Sequence, residues 1–209
     1  MVNENKIKYP SCVSKVRSIN YEIRNCRVRT LLNITTNRNN EKSVLCIMMN
    51  PSKADEDQSD NSVNKVIKYF RDSYGFINIV NLFPFYETES PKLSELINKI
   101  KKEPEFNKII KTNLCKIKTE INRAEKIVLA WGDPANDEIT QMHYSISREI
   151  FSYIADKENI YVFDTRKLDT TLTKKGNPRH PIRLGNSIFI KKAKVEKEPI
   201  IYLNVYEDR

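Results

Sequence analysis

SVLCIMMNPSKAD (Ser43–Asp55) is the stretch whose reading decides the fold. Its first half is a near-continuous apolar run, the pattern of a strand buried on both faces of a parallel sheet. Its second half turns polar at Asn50-Pro51. Pro51 has no N–H and a fixed φ, so the strand stops and a turn begins there. Ligands of open α/β sheets bind outside the carboxyl ends of the strands. A polar motif at such an end is therefore a candidate site.

Two further strands end in the same way. FINIV (Phe76–Val80) runs into Asn81 within VNLFPF (Val80–Phe85), and KIVLA (Lys126–Ala130) runs into Trp131-Gly132 within VLAWGDPA (Val128–Ala135). Helical spacing separates them. Val63, Val66, Ile67 and Phe70 share one face of a helix over Asp60–Tyr74, with Asp60 or Ser62 as its N-cap and Gly75 as its stop. Ser90-Pro91 opens a second helix, Pro104 breaks it, and a longer one carries Phe106, Ile110, Leu114, Ile117 and Ile121 on one stripe. Asp137–Ile154 is amphipathic, and IYVFDT (Ile160–Thr165) is a fourth strand.

CRVRTLLNITT (Cys26–Thr36) reads as an N-terminal strand, while SIFIKK (Ser187–Lys192) and PIIYLNVY (Pro199–Tyr206) read as a C-terminal hairpin. Strands alternating with helices predict a three-layer α/β/α sandwich with a mainly parallel, four-stranded central sheet. The chain is read as one α/β domain. It comprises a polar, irregular extension (1–25), a core (26–185) and the hairpin (186–209).

The 209 residues carry a formal net charge of +9, which points to DNA or a nucleotide as partner. Lys, Asn and Ile are abundant throughout, a bias that an AT-rich genome also produces, so charge alone does not choose the partner. The four cysteines form no CxxC pair, and His143 and His180 are not spaced as metal ligands, so neither metal nor cofactor is expected. No run reaches the roughly 18 apolar residues of a membrane span. MVNENKIKYP lacks the apolar core of a signal peptide, and the expected location is the cytoplasm.

Each motif has a chemistry. Asn50, with Asp55 or Asp60, is suited to positioning a water, although an Asx-type turn with helix capping uses the same residues. Asn81 interrupts an apolar strand, and its amide either satisfies neighbouring backbone or reads a base edge. Phe83 and Trp131 are candidate faces for a base, with packing under the sheet as the alternative for the tryptophan. KKGNPRHPIRL (Lys174–Leu184) holds His180 between Pro178 and Pro181. Its ring can donate to a developing anion. Lys174, Lys175, Arg179 and Arg183 beside it suit phosphates.

In this order, MMNPSKAD, Ser59-Asp60-Asn61-Ser62, VNLFPFYET, LAWGD and LTKKGNPRHPIRL resemble a widespread bacterial and phage family of uncharacterised domains, over roughly residues 26 to 185. Met49-Asn50-Pro51, Asn81, Ala130-Trp131-Gly132 and His180-Pro181 also resemble, more distantly, the motif order of uracil-DNA glycosylases. That resemblance implies an α/β/α sandwich with four parallel strands, an asparagine that reads the base and a histidine that stabilises the leaving base. Met48 stands where those enzymes have a glycine, Ser52 where some have an aromatic, and Ile182 where they have a serine. The expected activity is hydrolysis of the N-glycosidic bond of a modified or damaged base in DNA, in repair or phage-related DNA processing. The alternatives are a non-catalytic nucleic-acid-binding module and an enzyme acting on free nucleosides or nucleotides.

Overall fold

A computed structural model describes residues 6–23, 26–165, 170–185, 187–196 and 202–206. The strands are β1 (Val13–Ile23), β2 (Cys26–Thr36), β3 (Ser43–Met48), β4 (Phe76–Asn81), β5 (Lys126–Ala130), β6 (Ile160–Asp164), β7 (Phe189–Glu196) and β8 (Tyr202–Val205). The helices are α1 (Asn61–Phe70), α2 (Ser90–Ile100), α3 (Phe106–Arg123) and α4 (Thr140–Ile154). Short 3₁₀ turns occupy Asp137–Ile139 and Pro181–Leu184. The fold is mixed α/β.

One eight-stranded sheet runs in the order β1-β2-β4-β3-β5-β6-β7-β8. The pairings β4·β3, β3·β5 and β5·β6 are parallel. The four outer pairings are antiparallel. The sheet therefore has one strand more than the sequence predicts, and four of its seven pairings are antiparallel where a mainly parallel sheet is expected.

The residues read as an irregular extension account for part of the difference. Val13–Ile23 forms an eleven-residue strand against β2. Its polar, half-exposed character is that of an edge strand, where only one face needs apolar residues. At the other edge, β7 and β8 pair as the hairpin expected, although residues 199–201 of its second arm lie outside the described residues.

Side-chain alternation along β3 divides the interior in two. Leu45 and Ile47 join a cluster with Ile97 of α2, Ile117 of α3 and Ile150 of α4. Val44, Cys46 and Met48 join Val63, Val66 and Ile67 of α1 and Leu184 of the 3₁₀ turn. Helices thus cover both faces. α3 buries Asn113 and Glu120, while Ile110 and Leu114 are only partly buried, so its inward stripe lies about one residue away from the purely apolar one. Asn113 Nδ2 explains its place there, because it donates to the carbonyls of Asn81 and Leu82 at the end of β4.

Candidate functional site

The register makes three strand ends level. Met48 of β3 is paired with Asn81 of β4 on one side and Ala130 of β5 on the other. From β3 the chain crosses to β4 on one flank and later enters β5 on the other, which is a topological switch point. A crevice of about 990 Å³ opens beyond these ends. The chain after β3, β4 and β5 and the loop before the Pro181–Leu184 turn all line it.

Asn50, Asp60, Asn81 and Trp131 border this crevice, as do Lys174, Lys175, Arg179, His180 and Arg183. Residues up to 133 positions apart in the chain thus meet at one place, as strand-end placement predicts. Asp55 and Phe83 do not line it. Asp55 Oδ1 accepts from the N–H groups of Asp57 and Gln58, and Oδ2 pairs with Arg27 at 3.0 Å, so both oxygens serve the turn. Phe83 is fully buried with Leu93 and Ile117, because apolar burial outweighs display of the ring. Trp131 touches the crevice but is 1% exposed, with its ring 5.7 Å from that of Phe151. Its ring packs with the core cluster that includes Phe151.

Asn50 Nδ2 donates to the carbonyls of Glu87 (2.7 Å) and Pro51 (2.9 Å). The amide thereby ties the turn after β3 to the segment after β4. Asp60 is the N-cap of α1, with Oδ1 accepting from Val63 N at 2.8 Å. Arg179 is directed inward along its own loop, donating to Leu172 O and to Thr170. It braces that loop. Lys174 and Lys175 are exposed at the rim.

His180 is the best-prepared group. Its Nδ1 accepts from Ile182 N at 3.4 Å. In a neutral imidazole that places the ring proton on Nε2. Burial, reinforced by the Arg183 and Lys65 cations, lowers its pKa from 6.5 to about 4. The ring is therefore a neutral N–H donor at physiological pH. Its loop is docked by Gly132, whose N–H donates to Pro178 O at 2.8 Å. Gly132 has φ 76°, and a Cβ there would stand 3.4 Å from His180 Cβ. Lys65 of α1 donates to Pro181 O at 2.9 Å from the other side. His143 is fully buried and bonded to Gly132 O at 3.2 Å.

A family model described as "Protein of unknown function (DUF1643)" matches residues 29–182. The chain belongs to the DUF1643 family. No curated protein and no solved structure matches it. The DUF1643 match begins at Arg29 and ends at Ile182, both of which line the crevice. β1, β7 and β8 lie outside it.

Sequence reasoning missed Arg29, Glu87, Asp133 and Lys65. Asp133 Oδ1 accepts from Thr173 Oγ1 and Asn177 Nδ2, locking the basic loop to the end of β5. Glu87 Oε1 accepts from the N–H groups of Thr88 and Glu89. Arg29 alone carried a usable signal, since an arginine inside an apolar strand needs a polar destination.

Proposed function

We propose that this crevice is a base-excision site, hydrolysing the N-glycosidic bond of a nucleobase in DNA. The observation that carries the reading is His180 on the crevice lining, its Nδ1 accepting from Ile182 N so that Nε2 is left to donate, beside a crevice that Asn81 also lines. The run of four mutually parallel strands at the centre of the sheet supports this reading. Lys174, Lys175 and Arg183 are exposed on the crevice lining, which favours a polyanion.

In this reading, Asn81 reads the edge of a flipped base. The glycosidic C–N bond breaks heterolytically, and its electron pair leaves with the base. The His180 Nε2–H hydrogen-bonds the base oxygen on which negative charge develops, worth roughly 3 kcal/mol for a preorganised donor. A water adds to the sugar carbon and its proton ultimately neutralises the released base, leaving an abasic site. Asp60 and Glu87 are the carboxylates near the Asn50-Pro51 turn available to orient that water. Contacts from Lys174, Lys175 and Arg183 to phosphates offset the few kcal/mol of unstacking.

The test is release of free bases, read by mass spectrometry, from uracil-containing, otherwise deaminated and hypermodified DNA. Release from one of these substrates, reduced about 10²- to 10³-fold in His180→Ala with DNA affinity retained, is the expected result. Absence of release from every substrate overturns hydrolysis. Salt-dependent DNA binding would then identify a binding module, and saturation by a nucleotide alone would identify a small-molecule site.

A further inference from the structure

Arg29 is 2% exposed on β2, yet its side chain forms part of the crevice wall. Its neighbours Val28, Leu31 and Leu32 are apolar core residues, so packing alone does not call for a guanidinium. Nη1 donates to Ala54 O at 2.6 Å and Nη2 donates to Asn81 Oδ1 at 3.1 Å. The guanidinium carbon lies 5.5 Å from the centre of the Tyr86 ring, and Nε has no hydrogen-bond partner among the described residues. Asp55, the nearby acid on the same turn as Ala54, is paired with Arg27 instead.

A guanidinium is only a donor. It therefore accepts one orientation of the Asn81 amide, with Oδ1 toward it, because the flipped amide would set donor against donor. With Oδ1 held, Nδ2 is the group that Asn81 offers to the crevice it lines. A donor there pairs with a carbonyl oxygen and is mismatched with an exocyclic amino group.

We propose that Arg29 is a specificity-determining positioning residue: by holding Asn81 Oδ1, it makes the crevice select a heterocycle presenting a carbonyl oxygen over one presenting an amino group. The proposal rests on the reading that the crevice receives a nucleobase. It does not require that the base be cut. In this role Arg29 acts through Asn81.

The experiment is equilibrium dialysis of the full chain against free uracil and cytosine, and against hypoxanthine and adenine. The wild type is expected to favour the keto member of each pair by about tenfold or more. Arg29→Lys retains the charge but loses the fork that reaches Ala54 and Asn81 together, so the preference falls toward parity. Asn81→Asp offers no donor, and its carboxylate pairs with Arg29, so this variant is expected to stay folded and to reverse the order. Should Arg29→Lys fail to fold, Asn81→Asp carries the test alone. Equal affinity of the wild type for both members overturns the proposal, as does binding of neither. An unchanged keto preference in a folded Arg29→Lys also overturns it, as does one in Asn81→Asp. Keto preference without base release from DNA would uphold this proposal and overturn hydrolysis, and release without keto discrimination would do the reverse.

Discussion

His143 and His180 both have pKa values lowered to about 4, in each case chiefly by burial. Between pH 4 and the ordinary value of 6.5, the unfolded chain binds protons at these rings that the folded chain does not. Stability then rises with pH across that window. Their contribution is complete above about 6.5 and is lost as pH falls toward 4. The urea midpoint is expected to drop over this interval, and to drop less in a His143→Gln His180→Gln variant. Asp164 does not confuse the measurement. Burial raises its carboxyl, but hydrogen bonds from Thr171 and Thr165 N and the Lys191 ammonium outweigh that and hold it below its usual range of about 3.8. Gly132 is the other decisive residue. Gly132→Ala places a side chain at φ 76° and close to His180 Cβ, so it is expected to cost about 1 kcal/mol or more. Base release should fall further than that loss explains, read by kinetics beside a denaturation curve.

Among the elements, α1 serves both stability and site, because its N-cap Asp60 also borders the crevice. Two substitutions separate the roles. Asp60→Asn keeps a capping oxygen and should leave stability nearly intact while slowing release. Asp60→Ala should also lose about 1 kcal/mol in chemical denaturation. The cap was legible in the sequence because capping is local chemistry. The helix stop was not: α1 ends at Phe70 with Arg71 as its C-cap, four residues before Gly75. Gly75 has a long-range reason, since a Cβ there would lie 2.0 Å from Asn40 O. β1 escaped reading for a related reason. Lys15, Arg17 and Glu22 have little strand preference, and the pairing with β2 makes the strand.

At the scale of the molecule, the net charge of +9 matters only where the fold concentrates it. Lys174 and Lys175 are exposed at the crevice rim, whereas Arg179 is engaged by its own loop. Substituting both lysines by alanine is expected to make the plot of log affinity for DNA against log salt shallower by about one unit per lysine. Arg179→Ala should instead destabilise the loop. The sequence by itself determined where three central strands end, because an apolar run meeting Asn50-Pro51, Asn81 or Trp131-Gly132 is a local signal. It also marked the PRHP loop as chemically equipped. Only the tertiary structure decided which motifs face the crevice and which are turned away. Strand register sets Met48 level with Asn81 and Ala130, burial withdraws Phe83, and Arg27 engages Asp55. The bond from Arg29 to Asn81 spans 52 positions, and no periodicity within a strand or helix encodes a contact of that reach.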